Sequence, residues 1–138
     1  MNLKGLFLSK RSDWRTPKVL LQELQREFGV LWDPCPTNAD FNGLQVEWHQ
    51  NTFVNPPYSR ETIKWCRKAV QEYKKGKTVI MLLAARTDTK WFHDYILPHA
   101  KEVRFIRGRL KFDDRGPAPF PSMIVVLKEN ERSNRESD

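Results

Sequence analysis

Cysteine is scarce in this sequence. There are two, Cys35 and Cys66, with no metal-ligand spacing between them. So few argue against a disulfide framework and for a reducing compartment. Long apolar runs are also missing. No stretch approaches the roughly 20 residues of a membrane-spanning helix. Leu6-Phe7-Leu8 is too short for a signal-peptide core, so a cytoplasmic protein is expected. His49, His93 and His99 have no spacing that suggests a metal. They read as surface or helix-capping residues, and no metal is expected. There is no internal repeat, and 138 residues leave room for one core rather than two.

Aromatics and positive charge are plentiful. Five Trp, eight Phe and three Tyr argue against disorder over most of the chain. The net charge is +7, although the last ten residues carry four acids against two arginines, which leaves +9 on the rest. A folded part this basic suits a polyanionic partner or simply a soluble surface. Residues 1–13 read as an arm, 14–128 as a single domain, and 129–138, which lack apolar residues, as a mobile tail.

Within the domain, Thr16 is suited to cap a helix whose first position is Pro17. Leu20, Leu21, Leu24 and Phe28 then recur at helical spacing, and Gly29 closes the helix. Val30-Leu31-Trp32 reads as a buried strand running into Asp33-Pro34. Residues 35–50 are mostly loop, with an ordered piece around Leu44–Trp48. Thr52–Val54 is a second short strand. Ser59 is placed to cap a helix with Ile63, Cys66, Val70 and Tyr73 on one face, ended by Gly76. Thr78–Ala84, apolar on both faces, predicts a central parallel strand. A helix over about Thr89–Leu97, a strand over Val103–Ile106 and a last strand over Met123–Leu127 follow. Alternating strands and helices predict an α/β domain with a largely parallel sheet, the two final strands antiparallel. Ligands of such sheets bind beyond the carboxyl ends of the strands. Three loops leave those ends: Asp33-Pro34-Cys35, Asn55-Pro56-Pro57-Tyr58 and Ala85-Arg86-Thr87-Asp88. All three are expected to converge on one site.

The second loop carries the chemistry. Consecutive prolines fix two φ angles and hold the preceding residue extended. Asn55 offers a side-chain carbonyl, Pro56 a backbone carbonyl, and Tyr58 a flat apolar face with a polar tip. A rigid pair of acceptors beside a stacking surface suits methylation of an exocyclic amine such as adenine N6. That nitrogen is a poor nucleophile, because its lone pair is delocalised into the ring. Acceptors on both of its N–H groups can draw it toward tetrahedral geometry. Tyr58 can stack on a base flipped from the duplex, and positioning for in-line attack supplies much of the rate. The alternative is a polar loop that happens to hold two prolines.

The chain from about Asp13 to Leu127 resembles the small phage-type DNA N-6-adenine methyltransferases. The resemblance rests on an ordered series: Trp14-Arg15-Thr16-Pro17, Trp32-Asp33-Pro34-Cys35, Phe53 to Ser59, Arg86-Thr87-Asp88-Thr89 with Trp91-Phe92-His93, Gly108 to Phe112, and Ala118 to Ser122. It implies S-adenosylmethionine as methyl donor and DNA as partner, with a monomer or homodimer in a bacterial or phage-infected cell. It assigns Asn55, Pro56, Pro57 and Tyr58 to the catalytic motif. Asp33, Pro34 and Cys35 would form the strand end at the donor, Trp14, Thr16 and Pro17 a second element of that pocket, and Phe112 an aromatic holding the flipped base. It also implies a reduced Rossmann-like methyltransferase fold. The full sheet has strand order 3-2-1-4-5-7-6. Only 21 residues separate Asp33 from Asn55, too few for the crossovers of strands 2 and 3. Those outer strands are expected to be trimmed. Cys35-Pro36-Thr37 stands where larger relatives have a Gly-rich turn, and Asp40 and Glu47 are candidates for the ribose hydroxyls.

Between Lys101 and Arg115, six basic residues mix with aromatics. Arg104, Arg107, Arg109 and Lys111, with Arg86, are candidate DNA contacts; Lys10, Arg11 and Arg15 extend the patch. The competing reading is an edge strand guarded by charge. Cys35, Trp65 and Trp91 are expected to pack, and Asp88 to cap a helix. Two other functions stay open. One is methylation of another planar amine (RNA adenine, cytosine N4 or protein glutamine). The other is a DNA-binding module that has lost catalysis.

Overall fold

Thr78–Ala84 forms β2 in a computed structural model that describes residues 14–112 and 116–129, and all seven of its residues are buried. Its side chains alternate between two apolar layers, as the period of a strand requires. Val79, Met81 and Leu83 join one cluster with Trp65, Cys66, Ala69 and Val70. Ile80, Leu82 and Ala84 join the other with Trp14, Leu24, Phe112 and Phe120. Covering both faces is what makes this strand uniformly apolar.

Around it lie β1 (Asn51–Val54), β3 (Glu102–Phe105) and β4 (Ser122–Leu127), in the order β1-β2-β4-β3. β1 pairs parallel with β2, Asn51 opposite Thr78 through Val54 opposite Met81. β4 runs antiparallel to both its neighbours. β1, β2 and β3 therefore share one direction, and only the last strand is reversed. This is a mixed α/β sheet consistent with a reduced methyltransferase-like fold. Helices α1 (Lys18–Phe28) and α2 (Thr62–Lys74) cover opposite faces, Leu24 of α1 entering one cluster and Cys66 of α2 the other. No helix among the described residues is long and apolar enough to cross a membrane.

Several expectations are corrected. Val30–Trp32 is no strand: only Trp32 pairs, in a single parallel bridge to Thr52. Val30 is 86% exposed. The Leu31 N–H donates to the Gln25 side chain, and the Cys35 N–H to Asp33 Oδ1, so the chain turns away at both ends. Thr16 does not cap α1. Pro17 holds the cap position with no side-chain bond, and the Thr16 hydroxyl accepts from Asn55 instead. Ser59 does not cap α2 directly; its Oγ accepts from the Glu61 N–H and the helix begins at Thr62. Phe92–Ile96 is a π-helical turn, closed by the Leu97 N–H on the Phe92 carbonyl and burying Phe92 and Ile96. The expected arm (1–13, with Lys10 and Arg11) and all of the expected tail beyond Glu129 lie outside the described residues.

The segment between Trp32 and β1 is held without a ladder. Trp48 is buried; its indole N–H donates to the Gly43 carbonyl and its backbone N–H to Glu72 Oε1. Glu72 has no exposed area and also receives Lys68, Lys75 and Lys77 at 3.0, 3.0 and 2.6 Å. Burial alone would raise its pKa. The hydrogen bonds from Lys77, the Trp48 amide, Lys75 and Lys68 outweigh that and hold it at about 2. Gly43 sits where a β-carbon would lie 1.9 Å from the Pro34 carbonyl oxygen, so only glycine fits.

Candidate active site

Asn55-Pro56-Pro57-Tyr58 leaves the carboxyl end of β1, beside the loop that leaves β2. Pro56 holds Asn55 extended. The Asn55 amide nitrogen donates both to the Trp14 carbonyl and, at 3.1 Å, to Thr16 Oγ1. A backbone carbonyl can only accept, which fixes the amide's orientation. Asn55 Oδ1 is then left buried with no hydrogen-bond partner among the described residues. The Pro57 carbonyl is taken by the Thr62 hydroxyl at 2.8 Å. The Pro56 carbonyl accepts no hydrogen bond among the described residues.

Two cavities flank the loop. The larger, about 550 Å³, is lined by Asn55 and Pro57 together with Trp14, Thr16, Asp33 and Cys35. The smaller, about 290 Å³, is lined by Tyr58, Ser59, Thr62, Arg86, Thr89 and Trp91. The first two loops therefore meet at one cavity. Arg86 lines the other, and the Asn-Pro-Pro-Tyr loop is shared between them. Pro17 and Pro34 do not line the larger cavity. Pro17 begins α1, its carbonyl accepting from Leu21, while Pro34 is buried against Gly43. Asp40 and Glu47 are not on its wall; Glu47 is 74% exposed beside Lys75 and Lys77. Arg15, from the expected Trp14 to Pro17 element, also lines it; Leu21, Leu31, Phe53 and Pro36–Asn38 complete the wall, and the sequence did not point to them as lining residues. The Pro- and Asn-rich composition of that loop was the one signal, with Asn38 at φ +59°.

Burial raises the Asp33 pKa, the Cys35 N–H bond opposing it. Burial, helped by the Asp33 charge, pushes the Cys35 thiol up to about 11, which suits a packing residue rather than a nucleophile. Tyr58 donates to the Leu82 carbonyl at 3.2 Å, and burial raises its phenol. Its ring meets Phe120 and Phe112 edge-on at 5.1 and 6.3 Å. Trp14 meets the same two rings at 5.3 Å each. Phe112 thus lies in an aromatic cluster that joins the first motif to the Asn-Pro-Pro-Tyr loop.

Arg107, Arg109 and Lys111 are exposed and make no ion pair among the described residues. Arg104 is different. It grips Glu27 with two bonds, reaches Glu102 at 2.7 Å and lies over the Phe28 ring. It braces β3 against α1, so it leaves the group of candidate phosphate contacts. His49 stacks on Trp32 at 4.1 Å and His99 bonds the Tyr95 carbonyl. No group of three or more His, Cys, Asp or Glu side chains is placed to hold a metal among the described residues.

Residues 6–136 match the profile of the family described as DNA N-6-adenine-methyltransferase (Dam). The chain is similar to the DNA N-6-adenine-methyltransferase of Haemophilus phage HP1 (strain HP1c1), 30% identical over 87% of this chain and 82% of that protein. It is also similar to that of Escherichia phage T1, 29% identical over 77% of this chain and 49% of the relative. No solved structure matches significantly. The chain belongs to the DNA N-6-adenine-methyltransferase (Dam) family, a family of enzymes.

Proposed function

We propose that this chain transfers the methyl group of S-adenosylmethionine to the N6 amine of adenine in DNA, with Asn55 at the reacting nitrogen. The observation that carries the reading is the buried, unpartnered Asn55 Oδ1 on a loop whose amide nitrogen is already engaged. A buried acceptor without a donor is costly and calls for a ligand N–H. The Pro56 carbonyl supplies a second acceptor on the same rigid ribbon. Together they can bind both N–H groups of an exocyclic amine and stabilise it more strongly as it becomes tetrahedral.

The larger cavity fits the methyl donor. Its volume of about 550 Å³ lies in the ordinary range for a small-molecule site. Trp14, Leu31 and Phe53 give it apolar walls, and Asp33 gives it a carboxyl. Trp14, Asp33 and Cys35 would hold the donor there, with Thr16 on the same wall engaged by Asn55. When bound, S-adenosylmethionine supplies an electrophilic methyl group on a sulfonium. Asn55 and Pro57 face that cavity and Tyr58 faces the other, so donor and flipped base would meet across the loop. Arg86, with exposed Arg107, Arg109 and Lys111, would engage the base and the phosphates, while buried Phe112 would back Tyr58 from the aromatic cluster.

The sheet supports the same reading. In the proposed reading, the order β1-β2-β4-β3, with β4 reversed, would correspond to strands 4-5-7-6 of the methyltransferase order, and the Trp32 bridge to strand 1. Labelled donor with duplex DNA lacking N6-methyladenine should yield labelled N6-methyladenine on digestion. Label on RNA, cytosine N4 or protein glutamine instead would redirect the reading. DNA binding with neither donor binding nor transfer would favour the lapsed module.

A further inference from the structure

The two residues that meet at the reacting amide share a local feature: each precedes a proline. Thr16 precedes Pro17 and Asn55 precedes Pro56, so both backbones are held extended. The amide nitrogen of Asn55 has two protons. One goes to the Trp14 carbonyl and the other to Thr16 Oγ1 at 3.1 Å. The Trp14 carbonyl alone would leave the amide a single point to swing about. The second bond, from a different atom, fixes its plane. Thr16 caps nothing in α1, so no cap bond competes for its hydroxyl oxygen there.

We infer that Thr16 is a positioning residue for methyl transfer. By accepting the second amide proton it aims Asn55 Oδ1 at the substrate amine. This rests on the proposed function, and it moves Thr16 from the donor's own contacts to a role exerted through Asn55. The amide needs such help because Oδ1 has no partner of its own among the described residues. Nothing else that the described residues offer holds the amide's rotation from the oxygen side. Loss of one neutral hydrogen bond costs about 1 kcal/mol, which corresponds to roughly five- to tenfold in rate. The loss should fall on kcat, because orientation matters most as the amine becomes tetrahedral.

The test compares Thr16→Val, nearly the same shape without the hydroxyl, with Thr16→Ser, which keeps it. In the full chain, Thr16→Val should lower kcat on duplex DNA about five- to tenfold. KM for DNA and the calorimetric Kd for S-adenosylmethionine should stay close to wild type, and the melting temperature should fall by no more than a few degrees. Thr16→Ser should restore kcat to within about twofold. A second readout needs no turnover. In nitrogen-resolved NMR, both Asn55 side-chain amide protons, identified by their loss in Asn55→Ala, should be protected from solvent exchange. Thr16→Val should release one of them. Unchanged kcat and unchanged protection in Thr16→Val would overturn the inference while leaving the DNA reading intact. A loss confined to the donor Kd would overturn it too, making Thr16 a donor contact. If wild type methylates some other amine, the same comparison is made on that acceptor. If it methylates none, the protection experiment alone decides whether Thr16 orients the amide.

Discussion

The two walls of the larger cavity are built by different means. One wall, Phe53 to Pro57, hangs from β1, whose parallel ladder to β2 ties it to the most buried strand of the protein. The other, Leu31 to Asn38, touches the sheet through a single bridge at Trp32. What fixes the chain on that side is side-chain chemistry: the Glu72 carboxylate under Trp48, the indole bond to Gly43, and Gly43 pressed on Pro34. On this side discrete buried contacts stand in place of the repetitive bonds of a ladder. Such contacts are few, so each one matters more.

Breaking the polar anchor should have the largest effect on stability. Glu72→Leu leaves the Lys77 ammonium and the Trp48 amide without their partner, and should destabilise by about 3–5 kcal/mol in chemical denaturation. Adding Lys77→Met should recover part of this. The same anchor gives a pH signature. The Glu72 carboxyl titrates at about 2 in the fold, below its ordinary value of 4.5. Its contribution is therefore fully present above about 4.5 and lost as pH falls toward about 2. Glu72→Gln should flatten the acid limb of the stability curve over that window. An acid limb identical to wild type would show that Glu72 is not the group responsible.

A smaller, local effect should follow Gly43→Ala. The clash with the Pro34 carbonyl should cost about 1–3 kcal/mol. Hydrogen exchange should show it between residues 30 and 50, with β2 and β4 amides unmoved. Because Pro34 lies between Asp33 and Cys35, donor affinity should weaken as well. Loss of protection across the whole sheet would mean that the two walls are not independent. The smallest effect belongs to the exposed basic segment. Arg109→Ala should weaken DNA binding a few-fold at moderate salt and lower the slope of log K against log salt by about one. An unchanged slope would remove Arg109 from the phosphate contacts.

The same contrast explains what could be read from the sequence. β2 was legible to the residue because Thr78–Ala84 is apolar on both faces and bounded by Gly76 and Arg86. Asn55 to Tyr58 stood out because two prolines stiffen the loop whatever surrounds it. The other wall was not legible. Glu72 looks like any helix-surface acid, and its partner Trp48 is 24 positions away. Thr16 before Pro17 has the local pattern of a cap, and nothing nearby announces that Asn55 will take its hydroxyl. Val30 and Leu31 are apolar enough for a strand, yet Val30 faces solvent and Gln25 takes the Leu31 amide. The smaller cavity escaped for a similar reason: Trp91 looks like core and Thr89 like the start of a helix, and only the fold sets them beside Tyr58 and Arg86.

In the proposed reaction, Asn55 Oδ1 acts on the reacting amine. The most direct measurement is labelled methyl transfer to duplex DNA by Asn55→Ala, beside calorimetry with S-adenosylmethionine on the same protein. Transfer should fall by roughly a hundred- to a thousandfold while donor binding stays within a few-fold of wild type. Transfer at near wild-type rate would contradict the account.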